Sequence, residues 1–235
     1  MLAALDRAIK FNPSFASSDR ILLWHNKDTV ARLQEGPQCG LVAVATAAGD
    51  QVEVETVVSM AKDLGYTRLG EMFSVDNMAS LCKKLLDTEA IVCDTRLLLQ
   101  PLWIIEKLSD GWQLLVPYDC APNHSPAMFG GNKAHWGLIT GWVLITEKEN
   151  DISSLITNEV ENKENMMIVT AVEDKDKLHS LLKLPSSKLM LIARQSKSLV
   201  LGVWDVEVLV DSNENLKSVE DKRGEEFVVT VVEDC

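Results

Sequence analysis

Residues 39–48 read Cys-Gly-Leu-Val-Ala-Val-Ala-Thr-Ala-Ala and contain no charged position. A helix that is apolar on every side is buried, so this stretch is expected to be the central helix of the fold. Gly49 fits its stop and Asp50 the cap of the next helix. That second helix carries Val54, Val57, Val58, Ala61 and Leu64 at helical spacing and ends at Gly65. A third starts near Ser74 and repeats Met78, Leu81, Cys82 and Leu85. Residues 1–33 mix helical and extended signals, with Phe11-Asn12-Pro13 as a break. The front half therefore reads as helices wrapped around residues 39–48.

The pattern then changes period. Residues 112–118, 135–145, 167–172, 189–194 and 227–232 are β-rich runs. Between the first two lies a loop over 119–133 containing Pro122, Pro126, Gly130 and Gly131. Residues 147–165 hold six acids against two lysines and read as a solvated acidic insertion. No internal repeat is visible. Helices followed by strands predict an α+β fold, one domain over residues 1–235, with the helical half packed on an antiparallel sheet.

Charge and cysteine count narrow the class. The net charge is −12, with a sequence pI near 4.8. Such a surface repels phosphate backbones, so nucleic acid is not an expected partner. No run reaches the length of a membrane span, and the first residues, Met-Leu-Ala-Ala-Leu-Asp-Arg, do not read as a secretory signal. Five cysteines is an odd number for a disulfide framework, and a reducing cytoplasm is the expected setting.

Two motifs carry chemistry. Gly36-Pro37-Gln38-Cys39-Gly40 places a thiol at the mouth of the small-residue helix. There the positive end of the macrodipole is expected to lower its pKa. The Cys39 N–H has no partner within the helix and can face a developing oxyanion. Gln34 and Gln38 are both available as a second donor, and Gly40 is expected to admit a substrate backbone. Ala134-His135-Trp136-Gly137 places an imidazole at the head of an apolar strand, where it can serve as the base. The bland alternatives are a core cysteine and a satisfied strand-end histidine. His25 and His179 are weaker candidates. His124 lies in the loop, and Asp119, Cys120, His124 and His135 match no zinc spacing. That loop is expected to shape the entrance to the site. Cys82 and Cys93 read as core, and Cys235 as a terminal thiol. The reading calls for no cofactor and no metal.

Several segments resemble the actin maturation protease family. They are Glu35-Gly-Pro-Gln-Cys-Gly-Leu-Val-Ala43, Leu115-Val-Pro-Tyr-Asp119, Asn123-His-Ser-Pro126, Gly131-Asn-Lys-Ala-His-Trp-Gly-Leu-Ile-Thr-Gly141 and Ala193-Arg-Gln-Ser-Lys-Ser198, followed by Trp204 and Asp211-Ser-Asn213. The likeness covers most of the chain. It implies a papain-like cysteine peptidase fold, close to the double-glycine leader peptidases. It also implies a cytosolic aminopeptidase that removes an acetylated Met or Cys from the N-terminus of new actin, with profilin as a companion of that substrate. It carries the nucleophile onto Cys39 and the base onto His135, with Gln34 as the first choice for the oxyanion amide. The residue orienting the imidazole stays open among Gln195, Asp211 and Asn213. So do two other functions: a Cys–His isopeptidase or acyltransferase, and an inactive relative that only binds actin or profilin. Because actin N-termini are acidic, Lys133, Arg194 and Lys197 are expected to form a positive rim.

Overall fold

The computed structural model describes residues 20–147, 166–168 and 175–216. In chain order the elements are β1 (Arg20–Asn26), α1 (Cys39–Ala48), α2 (Val54–Asp63), α3 (Val75–Leu86), α4 (Pro101–Ser109), β2 (Leu114–Cys120), β3 (Pro126–Ala127), β4 (Ala134–Glu147), β5 (Met166–Ile168), α5 (Lys175–Leu182), β6 (Lys188–Gln195), β7 (Gly202–Asp205) and α6 (Val206–Glu214). Short 3-10 turns occupy Gly49–Gln51 and Thr95–Leu99.

The 14-residue strand β4 is the spine of the sheet, and every position between its two end residues is buried. A strand buried on both faces must be covered on both. β2 runs antiparallel along its first half and β1 along its second, while β6 pairs across both halves and passes the sheet on to β7. Among the described residues only β1 with β5 is parallel. A register shift between Ile139 and Gly141 marks the handover from β2 to β1. There Gly141 lies so close to the His25 carbonyl and the Asn26 backbone that a Cβ would collide with both.

One face of the sheet, through Trp136 and Leu138, packs on α1, which α2 and α3 enclose with Val57, Ala61, Met78 and Leu81. The other face carries Tyr118, Ile139, Trp142 and Trp204, covered by Ile104, Ile105 and Leu108 of α4 and Leu209 and Val210 of α6. The architecture is α+β, with a mainly antiparallel sheet between two helical layers.

Helices α1 to α3 lie where the apolar spacing puts them, and Ser74 caps α3 by accepting from the Asn77 N–H. Asp50 is not the cap of α2. It sits in the 3-10 turn, and the cap position is Glu53, which makes no side-chain bond to the helix. Helices α4 and α6 and strand β7 are additions to the sequence reading, and β1 emerges from the ambiguous front segment to join the sheet. Cys82 is core, as expected, whereas Cys93 is exposed. The acidic stretch after Glu147 and the run at 227–232 lie outside the described residues, as do residues 169–172 of the third β-rich run.

Candidate active site

Gly36 turns the chain with φ +64°, Pro37 follows, and Cys39 is the first residue of α1. The cap residue Gln38 makes no side-chain bond to the helix. Gly40 serves packing and not substrate approach: a Cβ there would lie 2.8 Å from Met78 Cε and 3.0 Å from Trp136 Cδ1. This close seat sets the mouth of α1 against β4 at Trp136, whose indole N–H donates to the Met72 carbonyl at 2.7 Å. The Cys39 thiol consequently faces the backbone N–H groups of Trp136 and Gly40 and feels the charge of Lys197. Those groups favour the thiolate, yet burial outweighs them and holds the thiol pKa above its usual value. The lowered pKa expected at a helix mouth is thus reversed by desolvation.

His135 immediately precedes Trp136 and is 2% exposed. Tyr118 stands opposite it in the β2–β4 register and meets its ring edge-on, with centroids 5.6 Å apart. Trp204 packs on Tyr118 at 4.8 Å. Gly137 makes room for that indole, since a Cβ there would lie 2.8 Å from Trp204 Cζ3. His135 Nε2 is buried without a hydrogen-bond partner. Burial, then the charges of Lys197 and His124, pull the imidazole pKa down to about 3. At neutral pH Cys39 therefore rests as the thiol and His135 as the neutral imidazole.

This has a measurable consequence for folding. The unfolded chain protonates His135 near its ordinary value of about 6.5, whereas the folded chain resists protonation down to about 3. The contribution is complete above the unfolded pKa and is lost as pH falls through that window, by up to ~1.4 kcal/mol per pH unit. Urea unfolding at pH 7 and pH 5 should cost the wild type about 2 kcal/mol more than His135→Asn. Equal losses in the two proteins would disprove the buried neutral imidazole.

The remaining candidates sort by their contacts. Gln34 is tied to β6: its Oε1 accepts from Ser196 Oγ at 2.7 Å and its Nε2 donates to the Gly36 carbonyl. Gln38 lays its side chain against Gly70. Gln195 is buried, pairs with Gly137 and accepts from the Lys197 N–H at 2.7 Å. Paired residues share a face of the sheet, so Gln195 lies on the same face as His135, one diagonal step away. Asn213 is engaged elsewhere, with the Pro117 carbonyl at 2.8 Å and Thr95 Oγ1 at 2.6 Å, and Asp211 is exposed on α6.

The expected positive rim contracts. The Arg194 guanidinium is taken up by Thr29 Oγ1, the Thr29 carbonyl and the Leu199 carbonyl. Lys133 is exposed in the loop before β4. Of the three cations, only Lys197 is among the charges acting on both Cys39 and His135.

The loop beside His135 has an internal frame. Asp119 is fully buried, and its carboxylate accepts from the N–H groups of Phe129, Gly131 and Lys133 at 2.8–2.9 Å. It is a clamp for this loop. His124 adopts φ +67°, and its carbonyl accepts from Tyr118 Oη at 3.2 Å. The roles of Tyr118, Trp204 and Ser196 escaped the sequence reading. The pairing of Tyr118 with His135, like the arrival of Trp204 and Ser196, is set by the sheet topology and not by any local pattern.

The model of the actin maturation protease-like, C-terminal domain matches residues 29–143. A protein from Xenopus tropicalis named actin maturation protease is 31% identical over 97% of this chain and 74% of its own length. Its namesake from Mus musculus is 33% identical over 96% of this chain and 63% of its own length. That from Danio rerio is 30% identical over 90% of this chain and 69% of its own length. No solved structure matches.

Proposed function

The chain belongs to the actin maturation protease family, and from that premise we propose that it is a cysteine aminopeptidase removing an N-acetylated Met or Cys from immature actin. The observation that carries the reading is the seat of the Cys39 thiol at a helix mouth, facing the N–H of the residue that follows His135. In this reading the fold is papain-like, with α1 bearing the nucleophile and β4 the base.

The chemistry follows from the resting neutral pair. Cys39 Sγ attacks the carbonyl of the acetylated first residue while His135 takes the thiol proton. The oxyanion is held by the Cys39 N–H and the Gln34 amide. Gln34 is preferred over Gln38 because its oxygen is already clamped by Ser196, and a preorganised donor needs no reorganisation during reaction. The tetrahedral species collapses as His135 gives its proton to the nitrogen of the second residue, which leaves as the new actin N-terminus. Water, deprotonated by His135, then cleaves the thioester and releases the acetylated amino acid. Gln195, one diagonal step away on the neighbouring strand, is the choice for orienting the imidazole, whose buried Nε2 has no hydrogen-bond partner in the resting site.

Intact-mass analysis of acetylated actin incubated with the protein tests the reading. The expected result is the loss of one acetylated Met or Cys residue. With Gln34→Ala the rate should fall by about a hundredfold, and with Gln38→Ala far less. Unchanged actin, together with cleavage of ubiquitin-type conjugates, would replace the aminopeptidase with an isopeptidase of the same Cys–His chemistry.

A further inference from the structure

A cavity of about 10 Å³ lies where α1 meets β4 and the end of β6. It is lined by apolar side chains of α1 and β4 and, among polar residues, by Arg32, Thr46, Arg194, Gln195, Ser196 and Ser198. A space of this size holds one particle as small as a water molecule. Sulfate, phosphate and carboxylates are too large for it.

Hydrogen bonding around the cavity is unbalanced. The Arg32 side chain is 15% exposed. Its Nη1 donates to Glu53 Oε2 at 3.2 Å and its Nη2 to the Gly49 carbonyl at 2.8 Å. Its Nε is buried and has no partner among the described residues. An unmet N–H on a charged group costs more than one on a neutral group. Arg194 gives its N–H groups to uncharged oxygens, those of Thr29 and Leu199. Ser198 Oγ accepts from the Val200 N–H at 3.1 Å, which leaves the hydroxyl proton to donate. Thr46 and Ser196 already give theirs to the Val42 carbonyl and to Gln34 Oε1. The acids that act on the two guanidinium groups, Glu53 and Asp28, are exposed, and neither lines the cavity. A water here would satisfy the Arg32 Nε–H but leave two cations facing no counter-charge. A single small anion answers both, and attraction is strong where bulk water is excluded.

We propose that this cavity is a binding site for one small monovalent anion, chloride being the fitting ligand, held by the Arg32 Nε–H and the Ser198 hydroxyl in the field of both guanidinium groups. The site is separate from the Cys39–His135 pair and stands whether or not the peptidase reading holds. An ion there joins the chain ahead of α1 to the turn after β6. It also adjoins the Gln34 clamp, because Ser196 belongs to both.

The test measures melting of the full chain in sodium chloride and in sodium gluconate at equal ionic strength. It also maps bromide, by its anomalous scattering, in crystals of the protein grown in sodium bromide. Raising chloride about a hundredfold should lift the Tm by about 5 °C, with bromide acting alike and gluconate inert. An anomalous peak should lie in the cavity at hydrogen-bond distance from Arg32 Nε. Arg32→Met should abolish the chloride response. Ser198→Ala, the milder change, should shift it to about tenfold higher chloride and decides the matter if Arg32→Met fails to fold. Equal melting in chloride and gluconate overturns the proposal, and so does a cavity holding water without an anomalous signal. A chloride response unchanged in Ser198→Ala, or retained by a folded Arg32→Met, places the ion elsewhere and overturns it too.

Discussion

Cys39→Ala is expected to lower turnover of acetylated actin by a factor on the order of 10⁵ or more, because removing the nucleophile abolishes the acyl-enzyme route altogether. The fold should survive. Cys39 as a whole residue is half-buried at the first position of α1, and although its thiol is desolvated it packs only against the edge of the core that begins at Gly40 and Leu41. The stability change should stay within about 1 kcal/mol. Trapping the acyl-enzyme with the acetylated peptide and mapping the added mass reads the same assignment directly. Label on Cys39 is expected. Label confined to Cys82, Cys93 or Cys120 would remove the nucleophile from α1.

Loss of the base should be nearly as severe. His135→Asn keeps a side chain beside Tyr118 but offers no proton acceptor, and turnover is expected to fall about 10³- to 10⁵-fold. The thiol pKa is already raised by burial, so little thiolate exists at neutral pH without an assisting base. A second readout separates chemistry from structure: alkylation of Cys39 during turnover conditions should slow in His135→Asn and recover only at high pH. His124→Ala, by contrast, should act through the loop and cost far less. Turnover in His135→Asn within tenfold of wild type would mean that another group takes the thiol proton.

The contrast between what the sequence reveals here and what it conceals follows from range. A cysteine at the mouth of a small-residue helix and a histidine at the head of an apolar strand are local patterns, and both stand out in a short window. The misreadings at the site involve distant partners. Gly40 looks like an opening for substrate, but Met72, Met78 and Trp136 arrive from other parts of the chain and fill the space. The helix mouth promises an acidic thiol, but the burial that reverses it is a tertiary property. Arg194 looks like a surface cation until Thr29 and Leu199 close around it. β7 has only four residues, too few to display a period. Gln195, Asp211 and Asn213 could be named together but not ranked, because their placement relative to His135 depends on the sheet topology.

The Asp119 clamp has a consequence for how this site can change over time. The three amides that fix the loop beside His135 belong to Phe129, Gly131 and Lys133, yet the carboxylate they share sits in β2, outside the loop. Backbone amides are the same whichever ordinary side chain they carry. The course of the loop is therefore set by a residue that substrate never meets, while the exposed side chains of Met128 and Phe129 are free of that duty. Substitutions at those two positions can alter what the protein presents to a large partner while the histidine and its surroundings stay fixed. Framework and contact surface are assigned to different residues, so a lineage can revise one without dismantling the other.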